Sequence, residues 1–142
     1  MTILQRTIVV LIAGALVATA CGGDDGADND PGLVIVSYID AYNNGDFDEV
    51  MTHFVVESTI TGHPTDFDPV ATDIYSIGTL HKEDLRFGQQ YLISNVSAKG
   101  DTVTWSSIWG EDGCVKGHTA VVKDGKILSW VWGEFMDCSD LG

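Results

Sequence analysis

The segment YIDAYNNGDFDEVMTHFVVESTITGHP, residues Tyr38 to Pro64, carries more information about the fold than any other part of this 142-residue chain. Apolar residues at helical spacing run up to the break at Asn43-Asn44-Gly45, which predicts a first helix over Leu33–Asn44. Asp46 follows with Glu49 three residues later, the pattern of a capping box. A second helix is therefore expected to begin directly after the first one ends.

The rest of the chain changes from helical to strand patterns. Residues 66–80 favour a further helix that begins near Pro69 and is interrupted at Gly78. From Tyr91 onward, alternating runs separated by turns end in the hairpin HTAVVKDGKILSWVWGE, whose turn is Asp124-Gly125. Helices first and antiparallel strands afterwards predict an α+β fold rather than a parallel sheet.

One motif in this first segment is specific enough to suggest a family. The pattern is Tyr-x-x-Ala-x-Asn-x-Gly-Asp-x-Asp, formed here by Tyr38, Ala41, Asn43, Gly45, Asp46 and Asp48. It resembles the SnoaL-like, nuclear transport factor 2-like superfamily, and within it the ketosteroid-isomerase branch. The resemblance covers Leu33 to about Phe135 and implies a cone-shaped, curved antiparallel sheet packed on N-terminal helices, a cystatin-like fold around one pocket.

The same resemblance implies where catalytic groups would lie. Tyr38 falls where the isomerases keep a tyrosine that donates a hydrogen bond to the substrate carbonyl. Their two acidic residues fall on Gly62 and Gly117, and glycine provides neither a base nor an oxyanion donor. A binding or accessory role is therefore favoured over catalysis. The alternative is an enzyme of the polyketide-cyclase, isomerase or hydratase kind that uses His63 as base with Tyr38, although His63 followed by proline is also typical of a turn.

Tryptophans in the final hairpin suggest what such a pocket would bind. A two-residue turn places Trp130 opposite Thr119 and Trp132 opposite Gly117 on one face of the sheet. Together with Tyr38, these side chains predict a site for a small hydrophobic ligand. The alternative is that the indole rings simply fill the core.

The other face of the same hairpin is predicted to pair His118 with Val131, Ala120 with Ser129 and Val122 with Ile127. This mixed apolar surface predicts a homodimer interface or a contact with another envelope component.

The amino-terminal segment predicts export. An apolar run ends in Ala18-Thr19-Ala20 before Cys21, which resembles a bacterial lipoprotein signal. The expected organisation is a signal peptide over residues 1–20, a flexible acidic linker over 21–32 that follows a lipidated Cys21, and a SnoaL-like domain over 33–142. An ordinary secretory signal or an uncleaved anchor are the alternatives. The domain is expected outside the cytoplasm, anchored to the cell membrane by lipid or, alternatively, secreted.

Cysteines and charge set further limits. Cys114 and Cys138 are an even pair in an exported chain and predict a disulfide, with two free thiols as the alternative. The net charge of -14 disfavours nucleic-acid partners. No cofactor motif is present, and no metal site is expected, because the histidines lack zinc-site spacing.

Overall fold

A computed structural model describes residues 29–62, 70–71, 73–86, 88, 90–109 and 113–140. The helices in these ranges are α1 (Pro31–Asn43), α2 (Phe47–Thr52) and α3 (Ile74–Arg86). The strands are β1 (Phe54–Thr61), β2 (Val70–Ala71), β3 (Tyr91–Lys99), β4 (Thr102–Trp109), β5 (Gly113–Lys123), β6 (Lys126–Val131) and β7 (Glu134–Met136). The predicted signal peptide, Cys21 and His63 lie outside the described residues.

The strands form one mixed sheet with the order β2-β1-β6-β5-β4-β3, and β7 pairs with β5 beyond the end of β6. Neighbouring strands are antiparallel except for β1 and β6, which run parallel. The α+β class predicted from the sequence is confirmed, and the sheet contains this one parallel pair where only antiparallel strands were expected. The buried residues of α1 and α3 contribute to a core shared with the sheet.

The residues of the opening motif build the corner where α1 meets α2. Asn43 pairs with the backbone of Tyr91 on β3, its amide donating to the Tyr91 carbonyl and its oxygen accepting from the Tyr91 N–H, both at 2.8 Å. Gly45 has a φ of 71°, which a side chain would disfavour. Asp46 then accepts from the Glu49 N–H at 3.0 Å and caps α2 as predicted. Helix α1 begins at Pro31, two residues before the predicted start of the domain.

Helix α3 differs from the sequence prediction. It begins at Ile74 instead of near Pro69, because Asp73 accepts from the Ser76 N–H at 2.8 Å and starts the helix there. It also continues through Gly78 to Arg86. Glycine in a helix interior costs about 1 kcal/mol relative to alanine, and packing of α3 on the rest of the fold offsets this.

Bulges bend the central strands. Gly117 interrupts the pairing of β4 with β5, where its φ is +81°. Leu128 is an extra residue in β6, since Val122 pairs with Ile127 but Val121 pairs with Ser129. Each bulge increases the local twist, so the sheet curves around the side chains of α1 and α3.

Cys114 and Cys138 form the predicted disulfide, with Cα atoms 5.1 Å apart. The bond ties the segment after β7 to β5. None of the helices in the described ranges is both long and apolar enough to span a membrane.

Candidate functional site

The Leu128 bulge moves Trp130 away from its predicted partner. Trp130 lies opposite Ala120, and Thr119 lies opposite Val131. The predicted pairing of Trp130 with Thr119 is therefore wrong by one residue, because the extra residue in β6 shifts everything beyond it. Of the pairs predicted on the other face, Val122 with Ile127 is confirmed, whereas the pairs of His118 with Val131 and of Ala120 with Ser129 are wrong for the same reason.

His118 is inside the fold, where the sequence interpretation had placed it on the outer face. It is 0% exposed, and its ring stacks on Trp105 with centroids 5.1 Å apart. The Trp130 indole N–H donates to His118 Nδ1 at 3.2 Å, so the proton of the neutral imidazole is on Nε2 and donates to Ser107 Oγ at 2.8 Å. His118 thus joins three strands from within the core and cannot form part of a dimer surface.

A second buried histidine holds the tyrosine of the motif. His81 Nδ1 donates to the Ile77 carbonyl at 2.9 Å, which leaves Nε2 of the neutral ring to accept from the Tyr38 hydroxyl at 2.6 Å. Burial raises the pKa of the Tyr38 phenol well above its ordinary value, and the nearby Tyr42 and Asp84 side chains raise it further. The hydroxyl is a neutral donor whose proton is already directed at His81.

Aromatic rings surround the Tyr38–His81 pair closely. The Tyr38 ring makes edge contacts with Phe54 at 5.5 Å and with Trp130 at 5.6 Å between centroids. Trp130 in turn stacks on Trp132 at 5.3 Å. Tyr38, Trp130 and Trp132 are only 0%, 3% and 5% exposed. Because these rings are almost fully buried, a ligand could reach them only if neighbouring groups moved.

The two positions expected to hold acids have a backbone reason to be glycine. Gly62 and Gly117 both have positive φ, +76° and +81°. A Cβ on Gly117 would meet nothing within 4 Å, so backbone conformation rather than crowding favours glycine there. A Cβ on Gly62 would lie 3.5 Å from Trp132, an ordinary contact. The nearest atoms are the Cβ and the backbone of Trp132.

The structure brings together three of the four residues predicted to bind a ligand. Tyr38, Trp130 and Trp132 share the interior, whereas Thr119 pairs with the exposed Val131 and directs its hydroxyl to the Gly117 carbonyl at 3.4 Å. Their role in binding stays a prediction.

An open cavity lies elsewhere, on the outside of the helices between α2 and α3. It has a volume of about 410 Å³ and is lined by Phe47, Met51, Ile74, Tyr75, Gly78, Thr79 and Lys82. We call it the α2–α3 groove. Tyr75 is 83% exposed at its edge, and the Lys82 Nζ lies 5.0 Å from the centre of the Phe47 ring. This groove offers an apolar surface with a single cationic group.

Sequence reasoning missed both His81 and the groove. His81 is 43 residues from Tyr38, and only the packing of α3 on α1 brings the two together. The groove has a weak signal in the sequence. Phe47 and Met51 are four residues apart on α2, and Ile74, Gly78 and Lys82 have the same spacing on α3, so each set shares one helical face.

No protein-family model matches this chain, and no curated protein matches it in sequence. Solved structures match its fold. An NTF2-like protein of unknown function from Cytophaga hutchinsonii aligns with a TM-score of 0.65 at 12% identity, over 78% of this chain and 94% of that one. A SnoaL-like protein of unknown function from Burkholderia thailandensis gives 0.62 at 14% identity, over 73% and 92% of the two chains.

An enzyme is also among the similar structures. The epoxide hydrolase/cyclase-like enzyme SalBIII, which has a role in pyran ring formation in the polyether salinomycin, aligns with a TM-score of 0.59 at 17% identity, over 72% of this chain and 90% of that one. Other matches have a cystatin-like fold. These likenesses show that the chain has the NTF2-like, SnoaL-like, cystatin-like fold suggested by its opening motif.

Proposed function

We propose that this chain is a noncatalytic domain, exported and held at the cell membrane through a lipid on Cys21, that binds a small hydrophobic molecule or serves an envelope partner as an accessory. The observation that carries the proposal is the environment of Tyr38. Its hydroxyl donates to His81 among buried aromatic rings, so the proton that would be donated to a substrate carbonyl is already used within the protein. Tyr38, the residue that most resembles a catalytic group, therefore has a structural role in this proposal.

Chemistry supports the same conclusion. Proton transfer beside a carbonyl requires a positioned base and donors at the developing oxyanion. Gly62 and Gly117 supply no side chain, and their positive φ values favour glycine for the backbone alone. The Cys114–Cys138 disulfide supports export, because such bonds persist mainly in oxidising compartments.

The α2–α3 groove is the better candidate for the ligand than the tryptophan-lined interior. Its volume of about 410 Å³ lies within the usual range for small-molecule sites, and Phe47, Met51, Ile74 and Tyr75 give it apolar walls. The interior indoles, by contrast, have almost no exposed surface to offer. We therefore place the proposed ligand against the helices.

The test is a titration of the purified domain with steroids, terpenoids and fatty acids, followed by backbone and indole NMR resonances. Shifts concentrated on α2 and α3 are expected. Met51→Glu should abolish them by putting a charge among the apolar walls, whereas Leu92→Glu, at a position 65% exposed on β3, should leave them unchanged. Shifts at the Trp130 indole and Tyr38 instead would move the site to the interior, and no response to any class would refute ligand binding.

A second candidate is the enzyme that uses His63 as base and Tyr38 as donor. The observation in its favour is the fold, which this chain shares with a cyclase-like enzyme. Given a detected cyclase, isomerase or hydratase activity, this hypothesis predicts large losses in both His63→Ala and Tyr38→Phe. Full activity in either variant would exclude it.

A third candidate is self-association through the outer face of the sheet. His118 no longer contributes, but Val131 is 50% exposed there and Val121 is 36% exposed. Sedimentation at high concentration, with Val131→Lys as the disrupting variant, would detect a homodimer. A monomer at every concentration would rule it out.

A further inference from the structure

The α2–α3 groove has a feature that a purely apolar site would not need. Lys82 extends along its wall, and the ammonium lies 5.0 Å from the centre of the Phe47 ring. A cation over an aromatic face at this distance is attracted by the ring quadrupole. In this contact the charge lies over the Phe47 wall of the groove, although the lysine side chain is exposed.

The electrostatic setting makes this lysine unusual. The whole chain has only 7 Lys and Arg residues against 21 Asp and Glu residues. In the part of the chain that the structure describes, Lys82 has no carboxylate partner. An acidic surface repels anions in general, so an anionic group would be accepted where a cation is exposed beside an apolar surface.

We infer that the α2–α3 groove binds a monomeric apolar molecule that ends in a carboxylate, with its apolar part on Phe47, Met51 and Tyr75 and its carboxylate at Lys82. The inference rests on the proposed function, which places a hydrophobic ligand in this groove, and adds the chemical class of that ligand. A single lysine on a chain of charge -14 does not suit an anionic membrane surface, which is recognised by clusters of basic residues. A free carboxylate needs only one cationic contact.

Gly78 sets the depth of the groove at its centre. A Cβ at this position would lie 3.6 Å from the Met51 Cε and 3.8 Å from the Phe47 ring, in ordinary contact with two of the groove walls. Alanine would therefore fit without strain while occupying part of the groove. The absence of a side chain here leaves room for a ligand at the expense of helix stability.

The discriminating experiment compares a medium-chain fatty acid with the alcohol of the same chain length, both kept below micelle-forming concentrations. Calorimetric titration of the folded domain should show the acid binding about tenfold more tightly, the ratio expected from one charge-assisted contact. Lys82→Met keeps the apolar stem and should remove this preference. Lys99→Met, which removes the same charge from the exposed end of β3 outside the groove, should retain it.

The possible results distinguish the carboxylate inference from the hydrophobic binding on which it rests. Equal affinity for acid and alcohol, with Lys82→Met unchanged, would overturn the carboxylate inference and leave hydrophobic binding in place. Binding of neither molecule would overturn the carboxylate inference, and the proposed function would fail with it only if the steroids and terpenoids also gave no response. Addition of salt should weaken binding of the acid and leave that of the alcohol unchanged.

Gly78→Ala provides a second variant that does not depend on charge. It should raise the melting temperature of the domain, because α3 gains helix propensity, and it should weaken binding of both molecules by occupying the groove. A variant with raised stability and unchanged affinity would show that the ligand binds elsewhere.

Discussion

The interior of the sheet and the α2–α3 groove are both lined by aromatic rings, but they differ in how their polar atoms are used. In the interior, the indole N–H of Trp130 and the hydroxyl of Tyr38 both donate to buried histidines. In the groove, Tyr75 is 83% exposed, and the Lys82 ammonium lies over the Phe47 ring with no carboxylate partner among the described residues. Similar side chains thus form a closed scaffold in one region and an open surface in the other.

This difference teaches that a tryptophan-rich wall is not by itself evidence of a ligand site. A ring whose polar atom is paired inside the protein and whose faces touch other rings has no surface left for a ligand. A ring at the surface, beside a cation that has no carboxylate partner, keeps a face that a ligand can contact. Measurements that perturb one region and leave the other unchanged can therefore test the assignment.

Truncation of an interior indole should produce the largest difference in stability between variants of the two regions. Trp130→Ala removes a ring packed on Tyr38, Trp105 and Trp132, so the free energy of unfolding should fall by about 3 to 5 kcal/mol. Tyr75→Ala in the groove should change it by less than about 0.5 kcal/mol. Urea denaturation of both variants measures this contrast, and similar losses would mean that the groove is part of the core.

Removal of the disulfide should affect the sheet and not the groove. The bond closes a loop of sequence separation 24, so the double variant Cys114→Ser and Cys138→Ser should lose about 3 kcal/mol of stability. Affinity for a groove ligand should remain unchanged in the folded variant. A parallel loss of affinity would contradict the independence of the two regions.

Alkaline pH should destabilise the domain through its buried tyrosines. Burial raises the pKa of both Tyr38 and Tyr91 well above the ordinary 10.0, so the folded chain keeps protons that the unfolded chain releases. Their stabilising contribution is complete below the ordinary pKa. It falls above that pKa by about 1.4 kcal/mol per tyrosine for each pH unit, until the folded pKa is reached.

Denaturation at a series of pH values, with tyrosinate absorbance as a second signal, tests this expectation. Tyr91→Phe should reduce the slope of stability against pH by the contribution of one tyrosine. Stability that does not fall as pH rises above the ordinary tyrosine pKa would show that water reaches these phenols in the native state.

Substitution of Gly117 should have the smallest effect and explain why the position lacks an acid. Gly117→Ala should cost about 1 kcal/mol, because a φ of +81° is unfavourable for a residue with a Cβ although there is space for one. Gly117→Asn should cost less, since asparagine tolerates positive φ better. Equal losses in a thermal-unfolding comparison would indicate that crowding, and not conformation, favours glycine.

Local signals in the sequence were sufficient for much of this fold. The Asp46 cap of α2, the Asp124-Gly125 turn and the Cys114–Cys138 disulfide each depend on a short pattern or on a compartment rule, and the structure confirms all three. The reciprocal half of the capping box is replaced, because the Asp46 N–H donates to the Ala41 carbonyl. The cap and the turn are complete within a few residues, whereas the disulfide, with a sequence separation of 24, was predicted from the number of cysteines and the expected compartment. They can therefore be recognised without knowledge of the tertiary structure.

The candidate site was harder to predict from the sequence, because it depends on strand register and on long-range packing. One unmarked bulge residue, Leu128, placed Trp130 opposite Ala120 and so changed the expected face of His118. A one-residue shift moves every later side chain to the other face of a strand. The pairing of Tyr38 with His81 joins two helices whose relative position no local pattern specifies.

Hydrogen exchange at the Trp130 indole N–H tests the closed interior most directly. This N–H donates to His118 Nδ1 at 3.2 Å and belongs to a side chain only 3% exposed. NMR should show exchange as slow as that of the most protected backbone amides, with a resonance that does not move when a carboxylate ligand occupies the groove. Fast exchange, or a shift of this resonance on ligand addition, would show that the interior is open and is itself the site.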